Sequence, residues 1–374
     1  MKRRTLIPLV VSRAPQLNAR LRAALAEITN NFSRLYDEPG LLQGIPELAR
    51  WIGDGKQLVT AERDLERWEQ QGIRVITLGM PEYPPQLATI HDPPLLIFVR
   101  GDELLLHRTL QVAVVGSRNA DSEGIEFAHS IGRYGAERGA TIVSGLAIGI
   151  DTAAHRGALE STVSGSTIAV LGSGFEHLYP RVNQRLADRI VASGGALVSQ
   201  FEPTEKPLPH NFLDRNRVIA GLSRATIVVQ AAARSGALAT ARYALEEGRD
   251  VAAVPGSLRS VTAQGSNRLL QQGALPFLAI QDLHQLLPEL PQKGQGSAAG
   301  AIDPAHHELA SWIGSQRECF LPEIPGYNED PGRIMQALLE LEMIGMVSRL
   351  PGNQISATIA LREVIERGAG VASR

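Results

Sequence analysis

Residues Gln111-Val112-Ala113-Val114-Val115-Gly116-Ser117-Arg118 pass from an apolar, β-branched run straight into a glycine turn. An amphipathic helical pattern follows over Glu123 to Arg138, and a second apolar run, Thr141 to Val143, ends in Ser144-Gly145-Leu146-Ala147. Strand, turn, helix, strand, turn is a βαβ unit, whose right-handed crossover lays its two strands parallel in one sheet. The pattern repeats to about Leu287. Strand candidates are Val112 to Val115, Thr141 to Val143, Thr167 to Leu171, Ala196 to Ser199, Thr226 to Val229 and Val251 to Val254. Helix candidates lie between them at Glu123 to Arg138, Ile150 to Glu160, Asn183 to Ser193, Asp214 to Leu222 and Ala237 to Glu247. Near-continuous apolar strands are expected when helices cover both faces. The fold class is therefore α/β, a doubly wound parallel sheet whose ligands sit beyond the carboxyl ends of its strands.

Outside this core the pattern changes. Residues 1–75 read as a helical domain, with Leu21, Leu25 and Ile28 at helical spacing and a glycine-bearing turn at Gly40 to Pro46 that is either a phosphate-facing hairpin or a plain packing turn. Residues 76–287 form the core, and residues 288–301, rich in Pro, Gly, Ser and Gln, read as a linker. In residues 302–374, helical patterns at His306 to Ile313 and Gly332 to Ile344 precede two short runs around Pro351-Gly352-Asn353, the order of a winged-helix-like domain. Residues 288–374 hold 7 basic and 11 acidic residues, a balance that disfavours a strong reader of duplex DNA.

The chain of 374 residues is long enough for two or three domains, and 44% hydrophobic with 20% charged residues is an ordinary globular composition. Its 37 Lys plus Arg against 39 Asp plus Glu exclude a chain-wide polyanion-binding field, so any nucleic-acid site must be local. Arg supplies 33 of the 37 basic residues, which suits phosphate contact, although a GC-rich genome produces the same bias. The single cysteine, Cys319, excludes an intramolecular disulfide framework and a Cys-rich zinc site, and fits a reducing cytoplasm. The run Leu6 to Val11 is short for a signal peptide, and no stretch approaches the roughly 18 apolar residues that span a bilayer. A cytoplasmic protein with no membrane role is expected.

Several turns carry chemistry at one sheet edge. Gly116-Ser117-Arg118 combines close backbone approach, helix N-terminal donors and a forked cation, which fits a phosphate. Ser144-Gly145 opens a second turn, in which Asp151 and His155 are four residues apart; without a third ligand, a local hydrogen bond is favoured over a metal. Gly172-Ser173-Gly174 lacks a glycine at position 177, which is His, so a nicotinamide-dinucleotide site is not expected. From Lys206 to Arg234, five basic residues face one acid, Asp214, and the centre of that window is His210-Asn211-Phe212-Leu213-Asp214-Arg215-Asn216-Arg217. Cations beside a ring on which bases stack are the design of a single-strand site, with core packing of Phe212 and structural ion pairs of Arg215 and Arg217 as the competing reading. Ser235-Gly236 begins another helix at the same edge.

Taken together and in order, these stretches resemble the DprA/Smf family of DNA-processing proteins. The resemblance rests on Gly116-Ser117-Arg118, Ser144-Gly145-Leu146-Ala147, Gly149-Ile150-Asp151, Ala154-His155, Tyr179-Pro180, Arg215-Asn216-Arg217, Ser235-Gly236 and Pro255-Gly256, with Tyr83-Pro84 and Asp92-Pro93-Pro94 upstream. It implies an extended Rossmann-like core that binds single-stranded DNA, forms a homodimer and loads RecA during natural transformation, with no catalytic residue, metal or cofactor. It puts Arg118, Lys206, Arg215 and Arg217 first as DNA contacts; by motif position Gly116, Ser117, Ser144, Gly145, Asn216, Ser235 and Gly236 join them, as does Phe212 from its place among the cations. Gln200 and Gln230 depart from the family, which carries Glu at those positions.

Two rivals stand against this. A nucleotide phosphoribohydrolase of the lysine decarboxylase-like group needs carboxylates to stabilise an oxocarbenium-like centre and activate water. Arg242 stands where its motif requires Glu, and Gln200 and Gln230 are neutral. A pure interaction scaffold would use the glycine turns for packing alone.

Overall fold

The computed structural model describes residues 2–14, 48, 50–51, 55–163, 165–291, 304–316, 318–343, 346–350, 353–358 and 361. The chain divides into two compact units, Met1–Leu290 and Pro291–Arg374. In the first, helices α1 (Lys2–Ser12) and α2 (Gly55–Gln70) precede strand β1 (Ile73–Thr77), and α3 (Pro85–Ala88) leads to β2 (Leu96–Gly101). Then come β3 (Gln111–Val115), α4 (Ser122–Ala136), β4 (Thr141–Ser144), α5 (Ile150–Ala158), β5 (Thr167–Leu171) and α6 (Gln184–Ala192). They are followed by β6 (Ala196–Ser199), α7 (Pro209–Leu222), β7 (Ala225–Val228), α8 (Ala237–Glu246), β8 (Asp250–Ala253), α9 (Gln264–Gln271) and the two-residue β9 (Leu275–Pro276).

The nine strands make one sheet in the order β1-β2-β6-β5-β4-β3-β7-β8-β9. From β6 to β9 every pairing is parallel, and the chain order reverses at β3, which has β4 on one side and β7 on the other. That reversal makes the carboxyl ends of β3 and β7 the topological switch point, where doubly wound sheets hold ligands. The six strands read from the sequence are all present to within a residue or so. The three extra strands escaped because β1 and β2 pair antiparallel, Ile73 opposite Arg100 and Phe98 opposite Ser199, and antiparallel neighbours need no crossover helix to announce them. Two residues at β9 are too few for any pattern.

Three boundaries differ from the sequence reading. The division at residue 75 falls inside β1, and Leu9, Val10, Val11 and Trp68 share one buried cluster with Phe98, Leu171 and Leu197 of the sheet. The Trp68 ring stands edge-on to Phe98 at 5.3 Å, so the described N-terminal helices cover a sheet face instead of forming a separate core. Helix α7 starts at Pro209, five residues before the expected Asp214, because proline needs no N–H in a first turn. Phe212 consequently rides on a helix. At the linker, Leu290 is buried in the core cluster under α4, so the core runs past residue 287. Gly40 to Pro46, Leu21, Leu25, Ile28 and residues 292–303 lie outside the described residues.

The second unit contains helices at His307–Gln316 and Pro331–Met343 and a three-stranded antiparallel sheet of Glu318–Phe320, Gln354–Ala357 and Val347–Leu350, in that order. Its core gathers Ile313, Cys319, Leu338, Leu341 and Ile355.

Candidate functional site

The glycines at the carboxyl edge of the sheet serve the chain itself. A Cβ on Gly116 would lie 2.6 Å from Ile150 Cγ1 and 2.9 Å from the Gln230 carbonyl oxygen. Gly149, at φ +84°, lies against the Ser117 carbonyl, while Ser117 N–H donates to Gln230 O at 2.7 Å. The loops after β3, β4 and β7 thus pack against one another at the switch point.

The open site lies one strand over. Arg118, Gly145, Ala147, Ile148, Tyr179, Pro180, Phe212 and Arg215 line a cleft of about 40 Å³. The turn after β3 supplies Arg118, which is exposed and has no ion-pair partner among the described residues; its guanidinium carbon is 5.6 Å from the Phe212 ring centroid. Phe212 comes from the first turns of α7. The ring fits because position 172, at the end of β5, is glycine: a Cβ there would meet Phe212 Cδ1 at 2.7 Å. Tyr179, 46% exposed, meets Phe212 edge-on at 5.5 Å. Cation and two partly open rings can hold a base face and a phosphate together.

Arg215 behaves differently from the expectation. It is 4% exposed, and its Nη1 donates to the carbonyls of Gly145 and Val170 while Nε donates to Asn216 Oδ1 at 3.2 Å. Gly145 is required, since a Cβ would sit 2.6 Å from the Arg215 guanidinium carbon. Burial lowers the Arg215 pKa to about 10 from 12.5; Asp151 opposes that shift and Arg118 adds to it. The buried Asp151 carboxylate accepts the N–H groups of Gly145 at 3.1 Å and Ala147 at 3.4 Å; burial raises its pKa, and Arg215 opposes the rise. Arg215 is therefore the cationic back wall of the cleft, with Nη1 spent on two backbone carbonyls and Nε on Asn216. An alternation of apolar and basic residues on a helix cannot tell which cation faces inward.

Other expected contacts separate similarly. Ser144 is fully buried and its hydroxyl donates to Val114 O at 2.7 Å. Arg217 is ion-paired with Asp92 from the turn before β2, and its Nη2 reaches Gln200 Oε1 at 3.4 Å, so it ties α7 to the antiparallel edge outside the cleft lining. The structural ion pair considered from sequence exists, but to a turn carboxylate. Asn216, 7% exposed, accepts from Arg215 and donates to the Gly236 carbonyl at 3.1 Å, which links the cleft floor to the start of α8. Ser235 Oγ accepts from Ala237 N at 3.3 Å, and Gly236 is exposed. Lys206 is exposed on the loop before α7 and does not line the cleft. Asp151 and His155 do not converge: His155 Nδ1 pairs with Thr167 Oγ1 at 2.7 Å, and among the described residues no cluster of three His, Cys, Asp or Glu could hold a metal. Tyr179 and Ile148 were absent from the expected contacts. Tyr179 stands beside proline in the sequence, a signal that reads as turn chemistry before it reads as a stacking surface.

The fold and the cleft define a class: a doubly wound α/β protein with a cation and aromatic rings, and no carboxylate, lining the open site at its carboxyl edge. Comparison with known proteins narrows this. The chain belongs to the DNA recombination-mediator protein A family, whose profile matches residues 74–288. It is 41% identical over 227 residues to the DNA processing protein DprA of Bacillus subtilis, which covers 61% of this chain and 75% of that one. With Escherichia coli Smf the identity is 39% over 295 residues, 77% and 78% of the two chains. The Streptococcus pneumoniae DprA structure superposes with a TM-score of 0.59 at 32% identity, covering 76% of this chain and 97% of that one. A Helicobacter pylori DprA structure, described in terms of that protein's single-stranded DNA binding mode, matches with a TM-score of 0.52 at 30% identity over 58% and 98%.

Proposed function

We propose that this protein binds single-stranded DNA in the cleft between Arg118, Phe212 and Tyr179, as a cytoplasmic homodimer that protects incoming strands and loads RecA in recombination and natural transformation. The observation that carries the DNA reading is Arg118, an exposed cation without a carboxylate partner among the described residues, held over a ring that is itself partly exposed. Family membership and the Helicobacter relative support it. A backbone-tracking cation beside stacking rings binds strands with little sequence preference and with affinity that falls as salt rises. A duplex keeps its bases stacked and offers the rings nothing. No helix among the described residues is long and apolar enough to cross a membrane.

We further propose that the cleft performs no bond chemistry. Hydrolysis of a glycosidic bond needs a placed carboxylate; no acid lines the cleft, and the buried Asp151 holds the backbone N–H groups of Gly145 and Ala147. Incubation with nucleoside monophosphates should release no free base, and release would overturn this part of the reading. The DNA part is tested by titrating labelled oligothymidine at several salt concentrations, with Arg118→Ala alongside. The expected loss in the variant is about tenfold or more, a charged hydrogen bond and a stacked cation together. Unchanged affinity in a folded variant, or equal binding of blunt duplex, would place the site elsewhere.

A further inference from the structure

The cleft beside Arg118 holds about 40 Å³. That takes one phosphate or the edge of one base, so a bound strand must continue over the protein surface. One wall of the cleft is Tyr179-Pro180, and the chain passes from it directly into a single turn, Arg181–Asn183, and then into α6. The turn is anchored at the cleft. Asn183 is buried, and its Nδ2 donates to the Leu146 carbonyl and to Thr152 Oγ1, both at 2.8 Å. Leu146 precedes Ala147, itself a lining residue, so the loop that lines the cleft also fixes the start of α6.

Helix α6 turns Leu186, Ala187 and Ile190 to the core and leaves Arg185 and Arg189 exposed. Arg181, four residues before Arg185, is exposed as well. Residues four apart are neighbours on a helix surface, separated by about 6 Å along its axis. The three arginines therefore make one row that leads away from the cleft. Surface arginines on other helices of this unit are matched by a glutamate four residues on: Arg133 by Glu137 on α4 and Arg242 by Glu246 on α8. On α6 the residue four after Arg181 is Arg185, and the residue four after that is Arg189. None of the three has an ion-pair partner among the described residues, and Asp188 on the same helix accepts Gln184 Nε2 at 3.1 Å. Like charges at this spacing destabilise a helix. A chain of phosphates relieves that repulsion at successive positions, and the counterions it sheds favour the contact. Val182, 75% exposed, puts an apolar side chain within the row, between the cleft and Arg185.

We propose that a bound single strand leaves the cleft past Tyr179 and runs along α6, with its phosphates on Arg181, Arg185 and Arg189. This rests on the strand-binding reading of the Arg118 cleft and gives the strand a path beyond it. The cleft anchors one nucleotide; the row adds affinity in proportion to the length of strand that reaches it.

Length dependence tests the path. The full chain is titrated with short and long oligothymidine, about 4 and about 16 nucleotides, at several salt concentrations. Arg185→Ala combined with Arg189→Ala should weaken binding of the long strand by about tenfold and make its salt slope shallower by about 0.7 for each arginine removed. Binding of the short strand should stay within about twofold of wild type. Arg118→Ala should weaken both. Removing two charges elsewhere, at the exposed Arg63 of α2 and Arg268 of α9, should change neither length by more than about twofold. All these positions are exposed, so circular dichroism should match wild type. Wild-type affinity for the long strand in the α6 variant, or an equal loss in the Arg63 and Arg268 control, overturns the path and leaves the cleft standing. Equal losses for short and long strands in the α6 variant also overturn a path beyond the cleft. Wild-type affinity in Arg118→Ala, or no binding by the wild type, overturns the cleft, and the path that starts from it falls too.

Discussion

The guanidinium of Arg118, from the turn after β3, lies over the ring of Phe212, from α7, with 5.6 Å between its central carbon and the ring centroid. The residues are 94 positions apart, and nothing but the parallel sheet between them sets that distance. Tyr179 meets the same ring edge-on at 5.5 Å, and the buried Arg215 has its guanidinium carbon 5.9 Å from the ring centroid. One ring thus sorts two arginines into an open cation and a buried one.

If bases stack on these rings, Phe212→Ala and Tyr179→Ala should each weaken oligothymidine binding by about 1 to 3 kcal/mol. The salt slope should stay that of the wild type, because neither change removes a charge. Arg118→Ala should reduce both affinity and slope. Fluorescence anisotropy at several salt concentrations separates the two patterns, and a slope change in the ring variants would contradict the assignment.

Gly145→Ala places a methyl group 2.6 Å from the Arg215 guanidinium carbon, which is anchored to two backbone carbonyls and cannot swing away. Overpacking of this kind costs about 1 to 3 kcal/mol. Urea denaturation should show a lower midpoint with an unchanged slope. A midpoint equal to wild type would mean that Arg215 is free to move.

Burial, and next the Arg215 charge, hold the His155 pKa down to about 3 from 6.5. The Thr167 hydroxyl donates its proton to Ile142 O, so it accepts from His155 Nδ1–H and leaves Nε2 bare. Between those pKa values the unfolded chain binds a proton that the folded chain refuses. Stability contributed by neutral His155 is complete above pH 6.5 and is lost as pH falls through the window toward 3, with a limiting slope of about 1.4 kcal/mol per pH unit. Asp151, whose pKa is raised by burial, works in the opposite sense. Thermal melts of wild type and His155→Gln from about pH 7 to about pH 4 isolate the histidine, since Asp151 is common to both. Parallel pH profiles for the two proteins would refute a neutral, buried His155.

Arg217 and Arg118 should fail in different assays. Arg217→Met removes the ion pair to Asp92, and both side chains are mostly shielded from solvent. Loss of a charged hydrogen bond at such a place costs about 1 to 3 kcal/mol of folding stability. Its oligothymidine affinity should remain within about twofold of wild type, a change below 1 kcal/mol. A large loss of binding with unchanged stability would return Arg217 to the DNA site.

Much of the architecture was legible because it depends on local pattern. Apolar β-branched runs alternating with amphipathic helices specify parallel strands with crossover helices whatever the remaining residues are. The positions of β3, β4, β5, β6, β7 and β8 follow from this to within a residue or so. The antiparallel pair β1 and β2 carries no such signature, and the apolar face of α2, with Leu58, Ala61, Leu65 and Trp68, does not by itself name the sheet as the surface it covers.

For the site, local pattern was enough to show which turns gather at one sheet edge, that the local excess of positive charge lies from Lys206 to Arg234, and that Phe212 stands among arginines. Which cation is offered to solvent depends on contacts made through space. Arg118, Arg215 and Arg217 are the same residue type, and what separates them is the partner brought through space: a ring for the first, two backbone carbonyls and the nearby Asp151 for the second, Asp92 for the third. A charge is available to a ligand in proportion to what the fold leaves unneutralised and exposed, and long-range contacts set that balance.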